Sequence, residues 1–274
     1  MKLLESKDVI KSLKVNSNDN SFSNEYLSDV LVRLAYNSSA IEGNTISLAD
    51  TATIILHNTI PSQTNKREFF EIDNHRGAYD YILKSVANKD PLTVGKVKDI
   101  HERLTDRLQH DKGQFKTATN YIKGADFKTT PPEQVPFAMQ QWVDNLNFRL
   151  ENAKTIDEKL YAVADQHIQF ERIHPFSDGN GRTGRILMNY SLLENNLPPL
   201  VIDVKEKGKY INVLAKQDVD GFVEFMKPTL EKEMERIEAF MYKESNQIHY
   251  NESNQDVKDN EQNKNDKDEI EHEL

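Results

Sequence analysis

One stretch of twelve residues carries most of the chemistry of this chain: His174-Pro175-Phe176-Ser177-Asp178-Gly179-Asn180-Gly181-Arg182-Thr183-Gly184-Arg185. It contains a base, a carboxylate, an amide flanked by glycines and two guanidiniums. Groups of these types can hold a polyphosphate and a metal ion beside a proton acceptor. The stretch therefore predicts a site for chemistry on a phosphate compound.

The first half of the stretch supplies a base and a metal ligand. Pro175 disfavours the α conformation at His174, so a preceding helix should end there and present the imidazole on a loop. An unperturbed imidazole has a pKa near ~6.5, which suits a general base at neutral pH. Asp178 offers a hard oxygen, of the kind that Mg²⁺ accepts while it keeps waters and phosphate oxygens as its other ligands.

The second half of the stretch should begin a helix. Apolar residues recur there at helical spacing, namely Ile186, Tyr190 and Leu193. Another stripe of the same helix, clear of the apolar one, carries two cations and an amide, namely Arg182, Arg185 and Asn189. Because Gly179 and Gly181 lack a Cβ, the backbone can bend tightly and bring its amides close to phosphate oxygens. The N-terminus of the helix also attracts anions.

Each of these features alone has an ordinary structural explanation. A His-Pro pair is usually a turn, a Gly-Asn-Gly run is usually a loop, and arginines at helical spacing usually form a solvated face. Their combination within twelve residues favours a functional site over those explanations.

The stretch resembles the signature of the Fic family, His-Pro-Phe-x-Asp/Glu-Gly-Asn-Gly-Arg-x-x-Arg, and matches it at every fixed position. A weaker resemblance covers most of residues 30–240. It implies an all-α protein, a Fic-fold helical bundle with a small β-hairpin flap. It also implies a protein adenylyltransferase that moves AMP from ATP onto a hydroxyl of a target protein and of itself.

The same resemblance implies a role for each residue of the signature. His174 would deprotonate the target hydroxyl, and Asp178 would hold Mg²⁺ as a cofactor. Arg185 would reach the γ-phosphate of ATP. The residues that would contact the nucleotide are Asp178, Gly179, Asn180, Gly181, Arg182, Thr183, Gly184, Arg185, Asn189 and Tyr210. For Tyr210, which would lie against the adenine, plain packing is an equally good explanation.

A second motif lies at residues 37–44, Asn-Ser-Ser-Ala-Ile-Glu-Gly-Asn. Ser38 and Glu42 are one helical turn apart and would share a face, and Gly43 would let the chain leave the helix through an αL conformation. The motif resembles the inhibitory signature of the Fic family, Ser/Thr-x-x-x-Glu-Gly/Asn. That resemblance implies that Glu42 pairs with Arg185 and restrains the enzyme. The alternative is a helix C-terminus with an ordinary glutamate and a glycine cap.

Apolar residues recur at helical spacing through most of the remaining chain. The predicted helices span residues 25–36, 48–56, 68–87, 94–108, 133–150, 156–170 and 222–242. Pro228 lies within the last of them and should kink or split it. We expect three regions: an N-terminal helical region with the inhibitory motif (1–92), a Fic catalytic core (93–243) and an acidic disordered tail (244–274).

One segment departs from helical periodicity. Residues 117–122 and 127–130 indicate two short strands joined by a turn that contains Gly124. The resemblance implies that this hairpin is the flap that docks a target segment by strand addition. The docking residues would be Phe127, Lys128, Thr129 and Thr130. The alternative is a surface hairpin, and the sequence assigns no role to Lys116, where the family often has arginine.

Composition limits the possible partners and location. The formal net charge is -10, of which residues 243–274 contribute ten acidic and four basic side chains. An acidic surface argues against binding nucleic acid through its phosphates. The absence of cysteine, of a membrane-length apolar run and of a signal-peptide pattern leads us to expect a cytoplasmic protein with no membrane partner. Homodimers are common in the family that the chain resembles.

Other functions remain open at this point. A kinase of the same fold is disfavoured, because kinase-type relatives replace the first glycine of the loop, and Gly179 is intact here. Hydrolytic removal of AMP from a target is a closer alternative, because Glu42 is suited to position a water. A non-catalytic binding module is disfavoured by the intact base, carboxylate and arginines.

Overall fold

The structure is a computed structural model, which describes residues 22–121 and 127–243. In these two ranges the regular structure is helical and no strand occurs, so the predicted all-α class is confirmed. The α-helices are α1 (Phe22–Ile41), α2 (Leu48–His57), α3 (Lys66–Asn88), α4 (Val94–Leu104), α5 (Val135–Asn152), α6 (Ile156–Ile173), α7 (Asn180–Glu194), α8 (Lys207–Lys216) and α9 (219–243). None of the helices within the described ranges could cross a membrane.

Local capping fixes where several helices begin. The side chains of Ser47, Thr93 and Thr155 each accept a hydrogen bond from a backbone N–H in the first turn of α2, α4 and α6. Thr155 also forms a reciprocal capping box with Glu158. Such caps satisfy N–H groups that the helix itself cannot satisfy. The predicted starts at residues 48 and 94 are therefore confirmed.

Helix α7 is the centre of the bundle. It packs against α6, α4, α3 and α1, and every side chain from Arg182 to Leu193 is buried. A helix buried on all sides belongs to the core. The polar stripe of α7 therefore faces other helices and not solvent, so its arginines must find acceptors inside the protein or in a bound anion.

The last helix is longer and more continuous than predicted. It runs from residue 219 to 243 without interruption at Pro228, so the expected split does not occur. Proline removes one backbone hydrogen bond, yet the apolar face of α9 continues on both sides of it. The buried residues of that face are Phe222, Val223, Met226, Leu230, Met234 and Ile237. Their packing keeps the two halves of the helix together.

The predicted hairpin is not seen in the described residues. Residues 117–121 and 127–130 have irregular backbone, and the turn at 122–126 lies outside the described residues, as does the tail at 244–274. The two arms meet through a side chain: Thr129 Oγ1 donates to the carbonyl oxygen of Asn120 at 2.9 Å. A side-chain bond of this kind replaces the backbone ladder that a pair of strands would need.

Buried histidines predict a fold that is sensitive to acid. Burial lowers the pKa of His75 and His167 to about 3 and that of His101 to about 4. In the unfolded chain each imidazole titrates near ~6.5, so the unfolded state binds more protons below that pH and stability falls as the pH drops. As the pH falls from roughly 6 to 4, we expect each histidine to lower the free energy of unfolding by about 1.4 kcal/mol per pH unit.

Urea unfolding of wild type and of His101→Gln at stepwise pH measures this slope. The free energy of unfolding of the variant should depend less steeply on pH, because its unfolding takes up about one proton fewer. Replacement of the exposed His57 by Gln should leave the slope unchanged. Equal slopes in wild type and His101→Gln would contradict the assignment of a neutral buried imidazole.

Candidate active site

His174 lies where α6 ends. Its backbone has φ 50° and ψ 60°, a left-handed conformation that closes the helix, as Pro175 predicted. The ring Nδ1 lies 3.3 Å from the carbonyl oxygen of Glu171. A proton on Nδ1 directed to that oxygen leaves Nε2 as an acceptor. Because burial lowers the pKa of His174 to about 4, the imidazole is neutral at neutral pH and is able to take a proton.

The carboxylate of Asp178 lies at the mouth of the same loop. Its side chain is 50% exposed; Oδ1 accepts from the N–H of Gly179 at 2.6 Å, and Oδ2 accepts from Arg67 Nη2 at 3.0 Å. Within the described ranges, no cluster of three or more acidic, histidine or cysteine side chains could hold a metal alone. One accessible carboxylate nevertheless fits Mg²⁺ that takes its other ligands from a polyphosphate and water.

Side chains from other parts of the chain lie close to both glycines of the loop. Gly179 has φ +80°, and a Cβ there would lie 2.9 Å from Thr105 Cγ2. A Cβ at Gly181 would collide with Glu42 Oε1. Asn180 between them holds the loop closed, because its side chain exchanges two hydrogen bonds of 2.8 Å with the backbone of Phe176. The amide of Asn180 thus shapes the loop through bonds that are already made.

Arg182 is a buried cation with unused donors. Its side chain is 3% exposed, and Nη2 lies 3.8 Å from Asp178 Oδ1. Nε and Nη1 have no hydrogen-bond partner among the described residues. Buried donors of a charged group that lack an acceptor cost a large part of their hydration free energy. The position therefore favours an anion as the missing partner of Arg182.

Arg185 is held by both residues of the second motif. Nε donates to Ser38 Oγ at 2.9 Å, and Nη2 donates to the Ser38 carbonyl at 2.8 Å and to Glu42 Oε1 at 2.7 Å. Burial raises the pKa of Glu42, but Arg185 and Arg182 outweigh it and hold that pKa below its usual value. Gly43 follows at φ +103°, the αL conformation expected from the sequence. The two motifs, 143 residues apart, meet at this ion pair.

Asn189 and Tyr210, which the family resemblance assigns to the nucleotide, are hydrogen-bonded to other groups of the protein. Asn189 Nδ2 donates to the carbonyls of Arg185 and Leu200, and Oδ1 accepts from the N–H of Leu200 at 2.7 Å. The Tyr210 hydroxyl is 2.8 Å from His167 Nε2. Both side chains are fully buried, and their polar atoms are already paired. For Tyr210 this favours the packing explanation.

Thr183 and Gly184 also lie inside the bundle. Thr183 is fully buried, and its Oγ1 has no hydrogen-bond partner among the described residues. A Cβ at Gly184 would lie 2.7 Å from Glu171 Oε1 and 3.0 Å from the Phe170 ring. This glycine lets α7 approach α6 closely, which is a packing role.

The segment expected to dock a target is anchored to the catalytic loop by a buried lysine. Lys116 Nζ donates to Asn120 Oδ1 at 2.7 Å, to Thr129 Oγ1 at 3.0 Å and to the Ile173 carbonyl at 3.4 Å. The backbone N–H of Lys116 donates to the Pro175 carbonyl at 2.9 Å. Sequence reasoning missed this anchor, because two of its three partners are 13 and 57 residues away.

The other residues of that segment differ in exposure. Phe127 is partly buried and lies under the guanidinium of Arg172, whose Cζ is 4.1 Å from the ring centroid. Lys128 is exposed, and Thr130 is partly buried. Thr129 is buried, so Lys128 is the most accessible of the four.

Comparisons with known proteins identify a family for part of this chain. Residues 91–192 match the model of the Fic/DOC family. The protein adenylyltransferase Fic of Drosophila yakuba is 31% identical over 204 residues, which cover 73% of this chain and 40% of that protein. The protein adenylyltransferase fic-1 of Caenorhabditis elegans is 28% identical over 219 residues, which cover 78% of this chain and 42% of that protein. The chain thus spans about two fifths of the length of these curated relatives.

Solved structures share the fold. A Fic domain containing signalling protein from Bacteroides thetaiotaomicron aligns with a TM-score of 0.76 and 24% identity, over 88% of this chain and 97% of that one. Fic-1 from C. elegans aligns with a TM-score of 0.73 and 24% identity, over 88% and 72%. The likeness confirms the predicted Fic-fold helical bundle. Through the domain at residues 91–192, this chain belongs to the Fic/DOC family.

Proposed function

We propose that this chain is a protein adenylyltransferase, which transfers AMP from ATP to a hydroxyl side chain of a target protein and of itself. The observation that carries the proposal is the buried guanidinium of Arg182 beside the carboxylate of Asp178, because two of its donors have no acceptor among the described residues. An anion is needed there, and a neutral imidazole lies at the other end of the same loop. The names of the curated relatives support this assignment.

The residues of the loop would divide the chemistry between them. His174 Nε2 takes the proton of the target hydroxyl while the oxygen of that hydroxyl attacks the α-phosphorus of ATP. The bond from that phosphorus to the bridging oxygen breaks, and pyrophosphate leaves. Arg182 and the N-terminus of α7 offset the negative charge of the phosphates. Mg²⁺ held by Asp178 and phosphate oxygens would supply further charge neutralisation when bound.

We further propose that Glu42 restrains this reaction. Its carboxylate lies over Gly181 and bonds to Arg185, so a negative group already stands beside the cation that the γ-phosphate needs. A triphosphate must displace Glu42 or bind without the help of Arg185. In this proposal the restraint belongs to residues 1–92 and the catalytic groups belong to residues 93–243.

The anchored segment is our proposal for the site where a target peptide docks. The bonds of Lys116 and Asn120 to the carbonyls of residues 173–176 fix the distance between this segment and the base. A peptide that pairs with the segment, in the hairpin form that the resemblance implies, would have its hydroxyl placed near His174.

Removal of AMP is the second candidate function. The side chain of Glu42 is 43% exposed, and its charge acts on both His174 and Asp178. A carboxylate in this position is able to orient a water toward a bound AMP group. Incubation with a target that already carries AMP, followed by assay of released AMP, separates this activity from transfer.

Intact mass spectrometry after incubation with ATP and Mg²⁺ tests the proposed function. A gain equal to one AMP moiety on the Glu42→Gly variant supports adenylyl transfer. A gain of one phosphate would assign a kinase, and no gain on the protein or on added protein substrates would reject transfer.

Asp178→Asn is expected to weaken the binding of Mg²⁺·ATP while it leaves metal-free ATP binding nearly unchanged. The side chain keeps its size but loses the charge that holds the metal. We expect a loss of at least the ~10–100-fold that changes near a metal ligand usually cause. Calorimetric titration with ATP, with and without Mg²⁺, measures both affinities.

Asp111→Asn is a matched control for this variant, because Asp111 contacts the same loop through Ser177 but not through Asp178. It should bind Mg²⁺·ATP as wild type does. An Asp178→Asn protein with unaltered Mg²⁺ dependence would contradict the role of Asp178 as a ligand.

A further inference from the structure

Glu171 places a largely buried carboxyl group beside the proposed base, and one of its two oxygens has no hydrogen-bond partner among the described residues. Glu171 lies in the last turn of α6, and its side chain is 13% exposed. Oε1 has no hydrogen-bond partner in the described part of the chain, and Oε2 lies 3.9 Å from Nδ1 of His174. A buried carboxyl without a partner is costly, and it is the kind of group that marks functional sites.

The architecture does not need this carboxyl as a link between helices. Glu171 Oε1 lies beneath Gly184, where an apolar side chain would pack at lower cost. What the carboxyl does have is proximity to the proposed base, on the side of the ring opposite to Nε2. That is where a counter-charge would act when the ring becomes an imidazolium.

We propose that Glu171 is a positioning residue for His174, whose carboxylate stabilises the imidazolium formed when the base takes the target proton. The inference rests on the proposed transfer reaction. In that step the target O–H bond breaks and an Nε2–H bond forms, while the proton on Nδ1 stays in place. The positive charge is then shared across the Nδ1–H that points toward Glu171, and the proton later leaves Nε2 to solvent.

Glu42 also contributes to the pKa of Glu171, although burial is the larger cause. Burial raises the pKa of Glu171 to about 7; Arg185 opposes this rise and Glu42 adds to it. With Glu42 in place, the carboxyl is held partly protonated at neutral pH. When Glu42 moves away from Arg185, the pKa of Glu171 falls and the carboxylate form increases. The restraint by Glu42 and the base His174 would therefore be linked through the carboxyl group of Glu171.

Other charges also face this pair from the surrounding elements. The groups around Glu171 and His174 are Glu42, Lys116, His167, Asp178, Arg185 and Tyr210. Lys116 acts against protonation of His174, whereas Glu42 and Asp178 favour it. Glu171 is the carboxylate that lies on the Nδ1 side of the ring.

Glu171→Gln in the Glu42→Gly background tests the proposal by kinetics. We expect kcat to fall by roughly 10- to 100-fold, less than the ~10⁴-fold of a fully engaged carboxylate–histidine pair. KM for ATP should stay within about twofold, because the arginines and the helix N-terminus are intact. In the parent, kcat should rise with pH as Glu171 ionises, and the Gln variant should lack this rise.

Nuclear magnetic resonance gives a second readout that does not depend on turnover. The His174 ring nitrogens should show an inflection near neutral pH as Glu171 ionises, and Glu171→Gln should lack it because an amide cannot ionise. In the unsubstituted protein, the resonance of the Glu171 carboxyl carbon reports the ionisation of that group. The resonances of the His174 ring nitrogens should shift at the same pH. This measurement serves even if the variant fails to fold.

Asp165→Asn is the matched control, because Asp165 lies on the same helix and pairs with Arg149 at the surface. It should leave kcat and the pKa of His174 unchanged. Equal kcat in the Gln variant and its parent, or His174 nitrogens that ignore the titration of Glu171, would overturn the proposal. A Glu42→Gly parent without AMP transfer would reject the proposed function instead, and the resonance experiment would still decide the role of Glu171.

Discussion

Replacing His174 with Ala in a Glu42→Gly background is expected to reduce AMP transfer by about 10²–10⁴-fold, the usual contribution of a positioned general base. The neutral imidazole at the end of α6 is the base that the structure offers to an incoming hydroxyl. Without it, the target oxygen must attack as a neutral alcohol. Such a loss corresponds to about 3–5 kcal/mol of transition-state stabilisation.

The binding of ATP should survive this substitution, because Asp178, Arg182 and the N-terminus of α7 are unchanged. Transfer of labelled AMP measures the rate, and calorimetric titration measures the affinity. His110→Ala is the control, because that imidazole is exposed. Transfer by His174→Ala at the rate of its parent would show that another group is the base.

The local part of the site was predictable because its causes are local. Pro175 acts on the residue before it, so the end of α6 at His174 follows from two adjacent residues. The αL conformation of Gly43 likewise follows from its own lack of a side chain. The contact between Glu42 and Arg185 was implied by family resemblance, since periodicity alone gives no information about pairs 143 residues apart.

The surroundings of Asn189 depend on burial, which sequence periodicity does not report. Asn189 lies four residues after Arg185, so the two residues share one face of α7. Because α7 is covered on all sides, the stripe faces the loop at one end and the chain around Leu200 at the other. A nucleotide at the N-terminus of α7 meets the first turns of the stripe only.

Two of the residues that sequence reasoning missed, Lys116 and Arg67, act over long separations, whereas Glu171 lies one helical turn before His174. Lys116, Arg67 and Glu171 carry no motif, and each is defined by what it meets after folding. Arg67 is the clearest case, because it reaches Asp178 from a residue 111 positions earlier. A charged residue on a predicted helix is usually solvated, so only the packing of α3 against α7 identifies this one.

The charges of the site form one connected set. Arg185 is shared by Glu42 through an ion pair and by Glu171 through its field, while Arg182 retains free donors. A triphosphate that enters would satisfy Arg182 first and then compete with Glu42 for Arg185. In the proposed restraint, two anions would compete for one buried cation, and the strength of that competition would set how much activity remains.

Glu42→Gly should raise self-modification by about 10- to 100-fold over wild type. Hydrogen bonds to charged groups contribute about 1.5–3 kcal/mol, and about 1.4 kcal/mol is a factor of ten. The side chain of Glu42 is 43% exposed, so solvent screening favours the lower part of this range. Glu42 follows the last residue of α1, so glycine there interrupts no helix.

Incorporation of labelled AMP into wild type and variant, at equal protein concentration and with Mg²⁺, measures the effect. Glu151→Gly is the matched control, because Glu151 is an exposed glutamate at the end of α5. It should label as wild type does, whereas Glu42→Gln should label at an intermediate rate, because it keeps the shape and loses the charge. Labelling of Glu42→Gly that equals wild type would contradict the proposed restraint, because loss of the ion pair with Arg185 would then have no effect on activity.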